Sequence, residues 1–140
     1  MIHSLASLSP VTVIVVSLLG IGFGFAWYSP FLFARARMRE LNITPESIRA
    51  GSGRAPVMMG GAFLLTMVST FTLAALIASH HSSGALNGAE FGLLVGAGLV
   101  AAREGTSALF ENRTFRLFLI VSGHDVALCV FQGAVLGAWH

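Results

Sequence analysis

The chain has no lysine, a single cysteine and long stretches that contain no charged residue of either sign. The lone Cys129 excludes an internal disulfide, and no CxxC or Cys/His spacing favours a structural metal site. No Asp, Glu, Lys or Arg occurs in residues 1–34 or in residues 55–89. Because about 20 mostly apolar residues are enough for a helix to cross ~30 Å of hydrocarbon, these stretches predict membrane spans.

The overall composition agrees with a membrane protein. Hydrophobic residues make up 55% of the chain and charged residues 10%, against roughly 25% charged residues in soluble domains. We expect one transmembrane domain over residues 1–140, with spans at about 11–28, 57–79, 90–110 and 117–139. The first ~30 residues lack a basic start and carry an apolar run longer than a signal peptide's, so we do not expect cleavage.

The arginines predict how the spans are oriented. They fall between spans one and two or between spans three and four, apart from Arg103. The positive-inside rule then places both arginine loops in the cytoplasm and both termini on the periplasmic side of a bacterial inner membrane. The expected interfacial anchors are Trp27, Tyr28, Trp139, Arg35 and Arg39. The expected contacts of the basic residues are membrane lipids, and not nucleic acid, despite a net charge of +2.

The loop between spans one and two predicts a short interfacial helical elbow. Pro30 should end or kink span one, and residues 31–41 alternate apolar and arginine positions as in a helix lying at the headgroup level. Thr44-Pro45-Glu46 has the pattern of a helix start. Gly51-Ser52-Gly53 is expected to end this second short helix before span two.

Glycines recur at four-residue spacing on three of the spans, which favours close approach of helix backbones in lipid. Ordinary packing within a compact four-helix bundle explains this pattern, and a specific self-association face is the alternative. The glycines are Gly20, Gly24, Gly88, Gly92, Gly96, Gly133 and Gly137.

Ionisable residues inside a span raise a functional question by default. On span four, Ser122, Asp125, Cys129 and Gln132 share one helix face. On span three, Gly92, Gly96, Arg103 and Ser107 are expected to share another face. An Arg103–Asp125 ion pair is therefore the leading expectation, and Glu104 and His124 are competing partners. A structural pair that fixes helix register is favoured over a proton or ion pathway.

No catalytic, cofactor or metal signature stands out. His80 and His81 are adjacent and diverge on a helix, which favours a solvated loop end over a metal site. Haem is not expected, because no two histidines lie at the same depth in the membrane. Ser29, His124 and Asp125 are too scattered in depth to form a convincing triad. We therefore expect a chain that is not an enzyme, with no cofactor and no metal.

The chain resembles a widespread bacterial family of small four-span membrane proteins, number 1761 among the domains of unknown function. The resemblance covers nearly the whole chain and is carried by residues 27–30 (WYSP), 32–33 (LF), 109–111 (LFE), 117–120 (LFLI) and 133–139 (GAVLGAW). It implies a four-helix membrane fold and no established activity. His124-Asp125 and Arg103-Glu104 depart from the family pattern, in which aromatic or small uncharged residues are expected.

The expected function is that of a non-enzymatic integral membrane protein. It would be either a self-associating homo-oligomer or an accessory subunit of a larger membrane complex. The alternative is a small channel or transporter, which would need an oligomer with Asp125 or Arg103 on its axis. A membrane-embedded enzyme acting on lipid is the third possibility.

Overall fold

The computed structural model describes residues 9–80 and 83–139, and within these ranges all regular structure is helical. The helices are α1 (Pro10–Trp27), α2 (Ala34–Glu40), α3 (Pro45–Gly51), α4 (Ala55–Ser79), α5 (Ala85–Val95), α6 (Ala102–Phe110) and α7 (Phe115–Trp139). A 3₁₀ turn (Ser52–Arg54) joins α3 to α4, and a π-helical turn (Gly96–Ala101) joins α5 to α6. The predicted all-α fold with an elbow between the first two spans is confirmed.

Four helical stretches are long and apolar enough to cross a membrane: Pro10–Trp27, Pro45–Ser79, Ala85–Phe110 and Phe115–Trp139. One end of the bundle carries all of the arginine-containing connections, and we call it the arginine end. The other carries Pro10, Ser79 and Trp139, and we call it the opposite end. The N-terminal tail, His81, Ser82 and His140 lie outside the described residues.

The tightest packing joins α5 to α7, where glycines of both helices meet. A Cβ atom built at Gly88 would lie 2.0 Å from the Gly133 carbonyl oxygen, and one built at Gly92 would lie 2.1 Å from the Cys129 carbonyl oxygen. At Gly137, the nearest atom would be the Gly84 carbonyl oxygen at 2.4 Å. Only glycine permits such approach, so van der Waals contact between backbones holds these spans together. Both glycine ridges are used inside the chain.

The apolar core lies toward the opposite end of the bundle. It comprises Val16 of α1, Leu136 of α7, and Leu73, Ala74 and Ile77 of α4, all almost fully buried. α4 thus packs on its neighbours through its last three turns. Its first eight residues, 55–62, are all exposed, so α4 parts from the bundle as it approaches the arginine end.

The α2–α3 and α6–α7 connections, both at the arginine end, share an Asn-x-Thr turn motif. Asn42 and Asn112 adopt left-handed backbone conformations, with φ of 51° and 52°, which asparagine tolerates better than most residues. They end α2 and α6 with the same backbone hydrogen bonds, from Ile43 to Met38 (2.9 Å) and from Arg113 to Ala108 (3.0 Å).

Two residues after each asparagine, a threonine begins the next helix. Thr44 accepts from the amide of Ser47 (3.2 Å), and Thr114 accepts from the amide of Leu117 (3.2 Å). The Thr114 hydroxyl also donates to the Glu40 carboxylate. This contact holds the turn after α2 at the level where α7 begins.

The second short helix ends where the sequence predicts, since α3 stops at Gly51. The chain does not turn away there, however, because the 3₁₀ turn Ser52–Arg54 leads directly into α4 and the helical path continues to Ser79. Glycine in a helix lowers stability without forcing an end, and here no proline follows until position 56. At ~1.5 Å per residue, 35 helical residues extend over about 52 Å, more than a perpendicular crossing needs.

The π-helical turn between α5 and α6 changes which residues of span three face α7. A π turn contains one extra residue, so all later positions rotate by about 100° relative to a regular helix. The inward face that starts with Gly92 and Gly96 therefore continues through Glu104 and Ala108, and Ala108 is buried. Arg103 is exposed instead.

Candidate functional site

An aromatic enclosure around His124 is the most distinctive side-chain cluster at the arginine half of the bundle. His124 projects from α7 toward α1, with its ring centroid 5.9 Å from Phe23, 6.1 Å from Trp27 and 5.0 Å from Tyr28. Gly24 leaves room for it, because a Cβ atom there would lie 3.4 Å from His124 Nε2. The enclosure exists because α1 and α7 pack side by side.

The imidazole of His124 is held by its sequence neighbour. His124 Nδ1 lies 2.8 Å from the Asp125 Oδ1 atom, and the two side chains are 13% and 30% exposed. A carboxylate in this position orients the ring and favours hydrogen on Nδ1. His124 Nε2 is buried and has no hydrogen-bond partner among the described residues, which is uncommon for a buried nitrogen.

Tyr28, the residue directly after α1, connects this pair to α2. The guanidinium carbon of Arg37 lies 4.7 Å from the centre of the Tyr28 ring, a cation–π distance. Burial raises the pKa of the Tyr28 phenol above its ordinary value, while Arg37 lowers it and Asp125 and Glu104 raise it. Charged groups from α2, α6 and α7 therefore all act on the Tyr28 phenol.

Trp27 closes the enclosure at its arginine-end side. Its indole nitrogen donates to the Ile120 carbonyl oxygen at 3.2 Å, and its ring centroid lies 4.8 Å from that of Phe33. Trp27 thus fixes the depth at which α1 docks on α7. It is half-buried against protein, whereas Trp139 is 57% exposed at the opposite end, as expected of an interfacial anchor.

The expected Arg103–Asp125 pair is wrong. Asp125 is paired with His124, one of the two competing partners, and Arg103 takes part in none of the ion pairs found in the described part of the chain. The π-helical turn rotates Arg103 outward. Arg103 also lies at a different depth from Asp125. Gly96 faces Val126 and Gly105 faces Phe118, so Arg103 is about 9 Å from the level of Asp125 along the helix axes.

Glu104, the other competing partner, forms a separate pair. Its carboxylate lies 3.4 Å from Arg113, whose guanidinium makes a closer 2.6 Å contact with Glu111. These groups are about one-third to one-half exposed, so each contact contributes at most about 1 kcal/mol. The four residues Arg103, Glu104, His124 and Asp125 thus do not form one site.

A second polar contact lies deeper in the bundle. The Gln132 side-chain amide donates to the Thr70 hydroxyl at 2.9 Å, and Thr70 donates to the Thr66 carbonyl oxygen at 2.8 Å. Gln132 is 1% exposed and is seated against Gly20, where a Cβ atom would lie 2.7 Å from the Gln132 nitrogen. This contact joins α4 to α7 and explains why position 20 is glycine.

The polar stripe predicted on span four is partly correct. Ser122, Cys129 and Gln132 are buried and Asp125 is half-buried, so these residues do face the interior. They do not form a continuous polar line, because Leu128 also packs against Gly20 between the level of Asp125 and that of Gln132.

His80 behaves as a helix end. Its ring Nδ1 donates to the Leu76 carbonyl oxygen (3.1 Å), and the ring packs on Phe91, with centroids 4.8 Å apart. His81 lies outside the described residues. Within residues 9–80 and 83–139, no three His, Cys, Asp or Glu side chains gather in a way that could hold a metal ion.

Sequence reasoning named Trp27, Tyr28 and His124 of the enclosure, but neither Phe23 nor the association of the four. Trp27 and Tyr28 were expected as interfacial anchors, and both are half-buried against protein. The four-residue spacing of Phe23 and Trp27 was a usable signal, since it places both rings on one helix face. The position of His124 opposite them depends on the register of α1 on α7, which the sequence does not display.

The comparisons with known proteins identify one family. No curated protein and no solved structure is significantly similar to the chain. The model of one family, described as "Protein of unknown function (DUF1761)", matches residues 11–137. That match covers the four membrane-span-like helices and the arginine-rich elbow, so the chain belongs to the DUF1761 family of proteins of unknown function.

Proposed function

We propose that this protein is a non-enzymatic integral membrane protein that works as a subunit of a membrane assembly. The assembly would consist either of copies of itself or of the chain with larger subunits. The observation that carries the proposal is the exposed first third of α4, residues 55–62, at the arginine end. A bundle helix that parts from its neighbours over this length leaves a gap, and a neighbouring helix can fill it.

The side chains along this exposed part of α4 suit a helix–helix contact. Gly60 and Gly61 have open space where a side chain would be, with no atom within 4 Å, and Ala62 is exposed beside them. Small residues are typical of helix contacts in lipid because they allow backbones to approach. The other glycines at four-residue spacing are already used within the chain, so this surface replaces them as the candidate for self-association.

Arg103 supports the same proposal independently. It is exposed on α6, and the apolar residues beyond it, Leu109 and Phe110, are 80% and 86% exposed. A cation about 10 Å inside the helix end is costly in hydrocarbon unless it reaches the headgroups or pairs with an acid. A neighbouring subunit would supply that acid.

The orientation belongs to this proposal as well. We propose a bacterial inner membrane, with the arginine end in the cytoplasm and both termini on the periplasmic side. The support is the placement of every arginine of the chain at or near one end of the bundle.

Cysteine cross-linking in native membranes tests the assembly. Cys129 is replaced by alanine, and Gly61→Cys is compared with Leu19→Cys, which is also apolar and 45% exposed but lies on α1. We expect an oxidised adduct from Gly61→Cys, either a doubled chain or a chain joined to another subunit, and none from Leu19→Cys. Equal background adducts from both positions would contradict the proposal.

A small oligomeric channel or transporter is a second candidate, favoured by the His124–Asp125 pair with its unpartnered Nε2 atom. Arg103 and Asp125 lie at different depths, so they would act separately in such a pathway. If the chain conducts, proteoliposomes should show an ion or proton flux that Asp125→Asn abolishes while the protein stays folded. Flux indistinguishable from empty liposomes would remove this candidate.

A further inference from the structure

A cleft between α2 and α3 combines two cations with an apolar floor. It is an open cleft of about 670 Å³ and lies at the Asn42 turn that joins α2 to α3. Arg35 and Arg39 form its rim, one helical turn apart on α2. Met38, Ile43 and Ile48 line its floor, and the side chain of Ile48 is 54% exposed.

The two rim arginines differ from the paired arginines of the protein. Arg35 and Arg39 are exposed, and no carboxylate pairs with either of them in the described ranges. Arg37, between them in sequence, is turned inward onto Tyr28. The neighbouring acid Glu40 is engaged by Thr114. Two guanidinium groups at one rim therefore present positive charge that no carboxylate of the described residues pairs directly.

The position of the cleft identifies the membrane surface as the place of its ligand. The Glu40–Thr114 contact holds the end of α2 level with the start of α7, a helix long and apolar enough to cross a membrane. Along the chain, the cleft lies between two membrane-span helices, since α1 precedes it and α4 follows. A guanidinium pair at headgroup level faces phosphates, while apolar side chains beneath it face acyl chains.

We propose that this cleft binds one anionic glycerophospholipid, with its phosphate between Arg35 and Arg39 and the upper part of its acyl chains on Met38, Ile43 and Ile48. Arginine suits this role because its planar, multiply donating guanidinium matches the oxygens of a phosphate. The lipid would fasten the elbow to the membrane and stabilise the angle between α2 and α3. This site is separate from the helix-contact surface of α4 and does not depend on it.

Native mass spectrometry of protein released from nanodiscs tests the site. The discs contain phosphatidylglycerol in phosphatidylcholine, and retained lipid is counted for two charge-matched variants. Arg35→Gln/Arg39→Gln removes the rim of the cleft. Arg49→Gln/Arg54→Gln removes two exposed arginines of the same connection that do not line it.

We expect the wild-type chain to retain one phosphatidylglycerol in preference to phosphatidylcholine. The rim variant should bind it about 30-fold more weakly, because each basic residue near an anionic surface contributes about 1 kcal/mol. The control variant should change binding by less than about 3-fold. Equal losses in the two variants, or equal retention of both lipids by the wild type, would overturn the proposal.

Two further measurements separate a lipid from a soluble phosphate. Ile48→Ser should weaken retention of the two-chain lipid while leaving the arginines in place. Inorganic phosphate added at millimolar concentration should not displace the lipid. Displacement of the lipid by phosphate, with no effect of Ile48→Ser, would assign the cleft to a soluble phosphate group and overturn the lipid assignment.

Discussion

Replacement of Gly92 by alanine is among the strongest single perturbations of the bundle that we expect. The added Cβ would lie 2.1 Å from the Cys129 carbonyl oxygen and 2.8 Å from the Val130 Cα atom. These neighbours are backbone atoms, so no side-chain rotation relieves the overlap. Reaching an ordinary separation near 3.4 Å requires α5 and α7 to part by about 1.3 Å along that direction.

The cost follows from the packing that this displacement disrupts. A gap of ~0.5–1 Å already removes a quarter to a half of a contact's dispersion energy, and ordinary overpacking of a core costs about 1–3 kcal/mol. Because α5 and α7 touch along three glycine-lined turns, we expect Gly92→Ala to lower the free energy of unfolding by about 3 kcal/mol or more.

The matched control is Gly22→Ala on α1, where nothing lies within 4 Å of the added Cβ. Alanine favours a helix over glycine by up to ~1 kcal/mol, so this control should be neutral or slightly stabilising. Reversible unfolding in mixed detergent micelles, followed by circular dichroism, measures both variants. If Gly92→Ala had the same free energy of unfolding as the wild type or as Gly22→Ala, the close backbone approach of α5 to α7 would be refuted.

Three smaller effects follow from named contacts. Thr70→Val removes the acceptor of Gln132 and should cost about 0.6–1.7 kcal/mol in the same unfolding assay, and an unchanged stability would mean that the hydrogen bond is not formed. Asn112→Gly should be nearly neutral and Asn112→Val should cost about 1–2 kcal/mol, because the position has a positive φ, and equal behaviour of the two would contradict the left-handed turn. His124→Leu should lower the free energy of unfolding by about 1–3 kcal/mol, because it leaves Asp125 without its partner. The double variant His124→Leu/Asp125→Leu should recover part of that loss. Additive losses from the two single variants would show that the pair is not coupled.

The sequence was sufficient to predict the features that depend on local composition. Charge-free apolar runs define the membrane-span helices, and Thr44-Pro45 marks the start of α3. Glycines at four-residue spacing indicated close packing, and Gly88 and Gly92 do meet Gly133 and the Cys129 backbone. These inferences succeed because hydrophobicity, capping and helix periodicity act over short stretches of chain.

The candidate site could not be predicted in full because it depends on two non-local features. The π-helical turn adds one residue to span three. A regular α-helical periodicity would place Arg103 inward, whereas the structure has Glu104 inward and Arg103 outward. The enclosure of His124 depends on how far α1 slides along α7, which Trp27 fixes by its hydrogen bond to Ile120. Charge patterns alone therefore suggested the wrong partner for Asp125.

The most direct test of the proposed subunit role is the mass of the complex extracted gently from its own membrane. Native mass spectrometry in a mild detergent measures it without any assumed partner. We expect several copies of the chain, or one copy together with unrelated subunits. A single chain carrying only lipid, in a detergent that preserves known complexes from the same membrane, would contradict the role proposed for α4 and Arg103.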